Sequence, residues 1–182
     1  GLLEILKELP TLSKYIHFTT PEVYGSTPGW IKETNAFFPS TPYATSRASF
    51  DMHLMTYFKS KNFPVIFTRA SNVFGPGQPI YRIVPRAVWS GITGEKFFLD
   101  GGGTSERNFI DIRDVARAIE LIVEYGQPGK TYHISGTDSF SIYDLVSLIA
   151  KKFMLSINDL CEVGPERLGK DDNYLLDSSF LR

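Results

Sequence analysis

The sequence predicts an α/β fold built on a doubly wound, mainly parallel sheet, Rossmann-like in kind, with a smaller second lobe. Along the 182 residues, short apolar runs typical of buried strands alternate with amphipathic stretches typical of helices. Polar residues and glycines follow two of these strands directly, which is where a doubly wound sheet places its ligand site. The stretch from Phe74 to Gly103 is richer in Gly and Pro and interrupts the alternation, which indicates the second lobe.

A strand, a helix and a second strand make the first unit of this fold. Tyr15 to Thr19 and Val65 to Arg69 are predicted strands, and a helix from about Thr45 to Lys61 connects them. The apolar residues of this helix recur at intervals of three and four, at Phe50, Leu54, Tyr57 and Phe58. The sequence leaves open whether this stripe packs into the core or against a second copy of the chain.

Further helices and strands lie on both sides of this unit. The first segment, which Pro10 ends, is a predicted helix with an apolar stripe at Leu2, Ile5, Leu6 and Leu9. Downstream, an extended segment from Thr104 to Ile112 leads into a helix that ends near Gly126, and Thr131 to Ile134 follows as a strand. Another helix begins at Ser141, where Asp144 makes an acidic variant of the capping box.

Composition and charge exclude several classes of function. Lys and Arg (19) nearly balance Asp and Glu (20), so the net charge of −1 provides no positive field, and we expect no nucleic-acid partner. No apolar run reaches the roughly 18 residues that cross a bilayer, so we expect no membrane partner. The single cysteine, Cys161, cannot close an internal disulfide, which favours a cytoplasmic protein. His17, His53 and His133 lack metal-ligand spacing, and no metal is predicted.

The sharpest chemical signal is the segment Tyr43-Ala44-Thr45-Ser46-Arg47 at the start of the connecting helix. Tyr43 and Arg47 stand four residues apart and therefore on the same helical face. A free tyrosine has a pKa near 10, and a fixed positive charge nearby favours the phenolate, which accepts protons. On spacing alone, a surface tyrosine beside a solvated arginine is the commoner arrangement, so the interpretation depends on context.

Segments that follow the two strands supply this context. Thr19 to Gly25 (TTPEVYG), Tyr43 to Arg47 (YATSR) and Ser71 to Pro76 (SNVFGP) occur in the order of the motifs of the extended short-chain dehydrogenase/reductase family. Gly103 to Ile110 and Glu166 to Asp171 extend this likeness. The chain therefore resembles the NAD-dependent epimerases and dehydratases of that family, most of all the dTDP-glucose 4,6-dehydratases.

The resemblance implies an enzyme that uses NAD to oxidise the 4-hydroxyl of a nucleoside-diphosphate sugar transiently, with 4,6-dehydration as the first expectation. Tyr43 would take the proton of that hydroxyl, and Thr20 would hydrogen-bond it. Arg47, at the position of the family's lysine, would favour the phenolate and bind the nicotinamide ribose, and Ser71 would add a cofactor contact. Glu22 would remove the proton from the carbon next to the new ketone.

Two departures from the family pattern keep alternatives open. Pro21 stands where dehydratases carry the aspartate that protonates the departing 6-hydroxyl, and proline has no proton to give. Arg47 keeps the positive charge of the lysine but is planar and larger. A dehydratase would need Glu22 or another acid to do the work of the aspartate. A UDP-sugar 4-epimerase, a UDP-glucuronate decarboxylase and a catalytically degenerate sugar-nucleotide-binding module are the other hypotheses.

A second group of residues is expected to bind the nucleotide sugar. Arginine offers forked donors that match phosphate oxygens, and the candidates for the diphosphate are Asn72, Arg82, Arg107 and Arg167. His133 follows a strand where relatives place an asparagine near the ligand, so both a ligand contact and a satisfied core histidine remain open.

The Gly-rich dinucleotide fingerprint does not occur in these 182 residues. By resemblance it would precede Gly1, and the chain would then hold half of the cofactor site. Residues 1–75 and 108–135 are accordingly predicted to form the carboxyl-side half of an NAD-binding Rossmann domain. Residues 76–107 and 136–182 are predicted to form the sugar-nucleotide-binding lobe, and the resemblance also implies a homodimer.

Overall fold

Strands and helices alternate along most of the chain in the computed structural model, which describes residues 1–166 and 173–182. The strands are β1 (Tyr15–Phe18), β2 (Trp30–Ile31), β3 (Val65–Ala70), β4 (Asn72–Phe74), β5 (Phe97–Asp100), β6 (Glu106–Asp111), β7 (Thr131–Ile134), β8 (Ser139–Ser141), β9 (Cys161–Gly164) and β10 (Asn173–Leu176). The α-helices are α1 (Leu2–Leu6), α2 (Pro42–Lys61), α3 (Ile83–Thr93), α4 (Ile112–Tyr125), α5 (Ile142–Lys152) and α6 (Ile157–Leu160). Short 3₁₀ helices span Pro21–Tyr24 and Gly101–Gly103.

The first sheet is parallel and has the strand order β1, β3, β7. Helix α2 covers one face, where Leu54 packs with Phe67 of β3. Helix α4 covers the other face, where Ile122 packs with Ile66. Because both faces are covered, the central strand β3 is buried on both sides over Val65 to Arg69 and shows no alternation of buried and exposed residues. This arrangement confirms the predicted doubly wound α/β fold.

The second sheet runs in the order β2, β10, β6, β4, all parallel, and β8 pairs antiparallel with β6. Only Ser71 separates β3 from β4, so the chain passes from the first sheet to the second at this residue. A third, two-stranded parallel sheet of β5 and β9 packs against α3, α5 and α6 around Leu99, Val146 and Leu160. The polar residues that follow β1 and β3 therefore lie where the first two sheets meet.

Local signals at both ends fix helix α2, which carries Tyr43. The Thr41 hydroxyl accepts a hydrogen bond from the Ala44 amide at 3.1 Å and caps the amino terminus, and Pro42 occupies the first turn, where no amide donor is needed. Asn62 ends the helix in the left-handed conformation with φ of 53°. These caps place Tyr43 in the first helical turn, at the sheet edge where the site is expected.

The apolar stripe of helix α2 packs into the core in part, and one of its residues is exposed. Leu54 is fully buried, and Tyr57 and Phe58 pack partly against the same core cluster, whereas Phe50 keeps 38% of its surface exposed. The buried residues of the helix are Ala44, Ala48, Asp51 and Leu54. We did not predict from the sequence that Asp51, a charged residue, would lie on the buried face of α2.

The prediction of which face of the first helix is buried is wrong. Leu3 is buried and Leu6 packs beside it, whereas Leu2 and Ile5 are 64% and 65% exposed. A helix of five residues has too few turns for its periodicity to define a face. The described residues contain no helix that is both long and apolar enough to cross a bilayer.

Replacing the buried leucine of α2 tests this packing. Leu54→Ala is expected to lower the free energy of unfolding by about 2–5 kcal/mol, because it removes apolar contacts and leaves a cavity. Met52→Ala on the same helix, where the side chain is 52% exposed, is the matched control and should change stability by less than about 0.5 kcal/mol. Urea unfolding followed by circular dichroism measures both, and equal effects would contradict the described face of α2.

Candidate active site

A cleft of about 910 Å³ opens at the carboxyl ends of β1 and β3. Its walls come from the residues after these strands, from the start of α2 and from the segment that leads into α3. The predicted site residues that line it are Thr20, Glu22, Tyr43, Ser71, Asn72 and Arg82. The structure thus brings together the side chains of three separate sequence motifs.

The wall after β1 is a 3₁₀ helix, Pro21–Tyr24, that Thr20 caps. The Thr20 hydroxyl oxygen accepts a hydrogen bond from the Glu22 amide at 3.3 Å, so its proton remains available for donation. Pro21 is buried at the first position, where its missing amide costs nothing. Gly25 ends the helix with φ of 66°, and a Cβ there would collide with the Phe38 carbonyl oxygen.

The next wall is the first turn of α2. Tyr43 lines the cleft with 55% of its surface exposed, and its hydroxyl contacts no hydrogen-bond partner among the described residues. Arg47, one turn later, donates from Nη2 to the Phe18 carbonyl oxygen at the end of β1. Its buried Nε has no partner within residues 1–166 and 173–182. The guanidinium is therefore held at the end of β1, and its buried Nε–H is not used among the described residues.

The residues after β3 form the floor of the cleft. Ser71 is 6% exposed, and its Oγ has no hydrogen-bond partner in the described part of the chain. The Asn72 side chain is held at both ends, because Nδ2 donates to the Asn108 carbonyl at 3.2 Å and Oδ1 accepts from the Tyr174 hydroxyl at 3.3 Å. Arg82 is exposed at the amino terminus of α3.

Arg107 does not line the cleft, and Tyr174 does. The Arg107 guanidinium carbon lies 4.3 Å from the centre of the Tyr174 ring, and Nη1 donates to the Glu106 carbonyl at 2.7 Å. Burial, with a smaller contribution from the charge of Glu22, raises the pKa of Tyr174 and keeps its hydroxyl protonated, although Arg107 acts in the opposite direction. Sequence reasoning did not select Tyr174 as a cleft residue.

Of the two possibilities left open for His133, the structure favours the core histidine over the ligand contact. The side chain is completely buried, with Nε2 2.8 Å from the Tyr24 hydroxyl and Nδ1 3.1 Å from the Asp177 carbonyl oxygen. Burial lowers the pKa of His133, so the ring is neutral at pH 7 and its one N–H donates to that carbonyl. His133 is a satisfied core histidine. Arg167, also predicted to bind the diphosphate, lies outside the described residues.

Behind the cleft lies a buried ionic network that sequence reasoning missed. The Asp51 carboxylate accepts from Arg69 Nη2 at 2.7 Å and from the Thr19 hydroxyl at 2.9 Å, and His17 Nε2 lies 3.0 Å away. Arg69 is 1% exposed, and its guanidinium lies 5.0 Å from the centre of the Tyr24 ring. Two features of the sequence could have indicated this network. Asp51 lies on the buried face of α2, and Arg69 lies in the otherwise largely apolar strand β3.

Fold and cleft together define the class of this protein. A parallel sheet between helices, with its ligand cleft at the carboxyl ends of the strands, is a doubly wound, Rossmann-like α/β architecture. Within that class, the chain belongs to the NAD dependent epimerase/dehydratase family, whose sequence profile matches residues 1–135. This match confirms the resemblance drawn from the motifs.

Three known proteins illustrate the similarity. A trifunctional UDP-glucose 4,6-dehydratase/UDP-4-keto-6-deoxy-D-glucose 3,5-epimerase/UDP-4-keto-L-rhamnose-reductase of Arabidopsis thaliana is 30% identical over 185 residues, which cover 100% of this chain and 28% of the relative. The crystal structure of dTDP-glucose 4,6-dehydratase from Bacillus anthracis in complex with NAD matches with a TM-score of 0.91 at 30% identity, over 99% of this chain and 57% of that one. UDP-glucuronic acid 4-epimerase from Bacillus cereus, in complex with UDP-glucuronic acid and NAD, has a TM-score of 0.91 at 26% identity and the same coverage of both chains. The chain thus spans between 28% and 57% of these proteins.

The buried carboxylate makes stability depend on pH in a defined direction. Burial by itself raises the pKa of Asp51, but the hydrogen bond to His17 and the charge and hydrogen bond of Arg69 outweigh it, so the pKa lies below its ordinary value. A folded-state pKa below the unfolded value of about 3.9 contributes stability that is complete above that pH and declines as the pH falls through it.

We therefore expect Asp51→Asn to destabilise the protein by about 3–5 kcal/mol at pH 7, because it leaves the Arg69 charge buried without its counter-ion. The difference between the parent and the variant should start to shrink below about pH 4 and continue to shrink as the pH falls through the lower folded-state pKa of Asp51, where the parent carboxylate becomes protonated. Urea unfolding at a series of pH values measures this difference. A difference that is independent of pH would show that Asp51 is not ionised in the folded protein.

Proposed function

We propose that the protein is an enzyme that modifies a nucleoside-diphosphate sugar with NAD, through transient oxidation of the sugar 4-hydroxyl, and that the overall reaction is 4,6-dehydration. The observation that carries this proposal is the single cleft in which Thr20, Glu22 and Tyr43 meet at the carboxyl ends of the parallel strands. The names of the dehydratase relatives agree with it. Because the chain spans only part of those proteins, the activity of the whole protein is inferred rather than observed.

The residues beside the cleft fit the nicotinamide end of NAD, which when bound accepts a hydride from the sugar carbon. Tyr43 and Ser71 supply hydroxyls and Arg47 supplies N–H donors, the groups that hydrogen-bond a ribose and a carboxamide. Two of these atoms, Ser71 Oγ and Arg47 Nε, are buried and lack partners among the described residues. Within the same described residues, no cluster of three or more His, Cys, Asp or Glu side chains could hold a metal ion.

In the first step, the Tyr43 phenolate takes the proton of the 4-hydroxyl while the hydrogen on the same carbon leaves as a hydride. Thr20 orients the reacting oxygen through its free hydroxyl proton, because its own oxygen is already engaged by the Glu22 amide. Arg47 places a positive charge one helical turn from Tyr43. A base within hydrogen-bond reach of the proton that it abstracts is the requirement for this step.

In the second step, Glu22 takes the proton from the carbon next to the new ketone. The same carboxyl then gives that proton to the departing 6-hydroxyl, which leaves as water, and Glu22 returns to its carboxylate form. This dual role is needed because Pro21 has no acidic group. Loss of water by this route leaves a double bond between carbons 5 and 6. To reach a 4-keto-6-deoxy sugar, the hydride taken up by the nicotinamide in the first step would have to return to carbon 6, and carbon 5 would have to gain a proton from water.

For the nucleotide diphosphate, we propose direct contacts from Arg82 and Asn72, which line the cleft. Arg107, which packs on the ring of Tyr174, would attract the diphosphate through its charge without lining the cleft. Arg167, which is not among the described residues, is proposed as a further diphosphate ligand. The division into residues 1–75 and 108–135 for the cofactor and 76–107 and 136–182 for the sugar nucleotide belongs to the same proposal.

Pro21 gives specific support to a second candidate function. Epimerisation at the 4-position and decarboxylation also begin with oxidation of the 4-hydroxyl, but neither needs an acid for a 6-hydroxyl. A 4-epimerase or a UDP-glucuronate decarboxylase would therefore tolerate Pro21 without giving Glu22 two tasks. The structural similarity to a UDP-glucuronic acid 4-epimerase is as high as that to a dehydratase.

We also propose a cytoplasmic homodimer without nucleic-acid or membrane partners. The exposed Leu2 and Ile5 of α1 lie next to α2, because Leu3 and Leu6 of α1 pack on Leu54, and such apolar residues suit an interface between copies. The single cysteine and the net charge of −1 support the location and the absence of a nucleic-acid partner.

Removal of the Tyr43 hydroxyl tests oxidation at the 4-hydroxyl. In the full-length protein, Tyr43→Phe should lower turnover by about 10²–10⁴-fold, the usual contribution of a general base, and should leave the affinity for the sugar nucleotide nearly unchanged. Tyr125→Phe, whose side chain is 70% exposed on α4, is the matched control. Unchanged turnover in Tyr43→Phe, or no hydride transfer in the parent, would instead support a catalytically degenerate binding module.

The product formed in the presence of NAD separates the enzymatic candidates. We expect NMR to detect a 4-keto-6-deoxy sugar when the full-length protein is incubated with dTDP-glucose or UDP-glucose, and we expect Glu22→Gln to abolish this product because the amide cannot accept the proton. An epimer or a pentose from UDP-glucuronate, formed equally well by Glu22→Gln, would favour epimerisation or decarboxylation and would rule out dehydration.

A further inference from the structure

We propose that Arg69, acting together with Asp51 and Tyr24, is a positioning residue that sets the distance between the Glu22 wall of the cleft and the Tyr43 wall. Neither Arg69 nor its two partners lines the cleft, so their effect would pass through the elements that they join. The inference rests on the proposed function, because it concerns the geometry of the same site.

The first joint fixes α2 to the end of β1. Arg47 and Asp51 are one helical turn apart on α2 and contact consecutive residues of the strand end. Arg47 donates to the Phe18 carbonyl oxygen, and Asp51 accepts from the Thr19 hydroxyl at 2.9 Å. Thr20 follows directly in the sequence, so the oxygen that orients the substrate is tied to the helix that carries the base.

The second joint is the Arg69 guanidinium itself. Nη2 donates to the Asp51 carboxylate at 2.7 Å, and Nη1 donates to the Tyr24 hydroxyl at 2.9 Å. Tyr24 closes the 3₁₀ helix that carries Glu22, and Arg69 lies in β3, two residues before Ser71. One planar group thereby links the three elements that supply the side chains of the cleft.

The surroundings of this guanidinium leave it little freedom. Its carbon lies 5.0 Å and 5.1 Å from the ring centres of Tyr24 and Phe37, two rings that also contact each other. The Tyr24 hydroxyl also contacts His133 Nε2 at 2.8 Å, and His133 is fixed in turn by the Asp177 carbonyl oxygen. These contacts restrain the guanidinium through its two terminal nitrogens, while its buried Nε has no partner among the described residues. Such restraint matters because a misplacement of about 1 Å in a site can cost roughly a hundredfold in rate.

Tyr24→Phe tests the proposal with the smallest change, because it removes one hydroxyl and keeps the ring that packs on Arg69. In the full-length enzyme we expect kcat to fall by roughly ten- to a hundredfold while KM for the nucleotide sugar changes by less than about threefold. Tyr132→Phe is the matched control, since it removes a buried phenolic hydroxyl that accepts from the Gln127 amide at 3.1 Å elsewhere on the same sheet. This control should keep the kcat of the parent.

A conservative pair of variants separates position from charge. Arg69→Lys keeps the positive charge but cannot span both partners in the same planar geometry, so its kcat should also fall, and less than that of Arg69→Met. Equal kcat values for Arg69→Lys and the parent would show that only the charge matters, which would overturn the positioning role.

Amide hydrogen exchange provides a readout that does not depend on activity. The amides of Glu22 to Gly25 should exchange faster in Tyr24→Phe than in the parent and in Tyr132→Phe. If the parent enzyme shows no turnover, the proposed function fails and the exchange rates alone decide this inference. If the parent turns over and Tyr24→Phe matches it in both kcat and exchange, the positioning role is wrong and the proposed function stands.

Discussion

The buried ion pair between Asp51 and Arg69 is the constraint on which the arrangement of the site depends. Asp51 is 2% exposed and Arg69 1%, so each charge has lost its water and requires a protein partner. The carboxylate can be satisfied only where Thr19, His17 and Arg69 converge on it. Helix α2 therefore cannot slide or rotate on the sheet without leaving a buried charge unpaired, and Tyr43 is fixed with it.

Pro21 shows how the fold and the chemistry constrain the same position differently. The first residue of a 3₁₀ helix has no amide hydrogen bond to make, so proline is structurally suited to this position. The Thr20 cap uses the amide of Glu22 and not a side chain at position 21. A residue that would carry an acid in a dehydratase can thus be replaced without disturbing the cleft, and the consequence falls entirely on the chemistry, where Glu22 must compensate or the reaction must differ.

Local sequence patterns predicted the strands and helices whose formation depends on neighbouring residues. The strands β1, β3 and β7 and the helix α4 follow from runs and stripes of apolar residues that are buried in the structure. Thr20, Glu22, Tyr43, Ser71 and Asn72 were predicted because their motifs resemble those of the family, and the positions of two of these motifs after parallel strands agreed with a common site. All five line the cleft.

What the sequence did not predict depends on contacts between distant residues. Asp51 pairs with Arg69, 18 residues away, and with His17, 34 residues away, and no periodicity records such a pairing. His133 shows the same limit, because nothing in the local sequence indicates that the Tyr24 hydroxyl and the Asp177 carbonyl contact its two ring nitrogens within β7. The Tyr174 ring over Arg107 is a further case, since the two residues meet only through the pairing of β10 with β6.

The network also bears on the substitution of arginine for lysine at position 47. A carboxylate one turn away on the same helix would ordinarily neutralise a guanidinium. Here the Asp51 oxygens are already engaged by Arg69, Thr19 and His17, and among the described residues no carboxylate forms an ion pair with Arg47, whose guanidinium instead contacts a neutral carbonyl. The buried pair thus leaves the Arg47 charge uncancelled beside Tyr43. Arginine at this position therefore keeps the positive charge that a lysine would carry, in a planar and larger group.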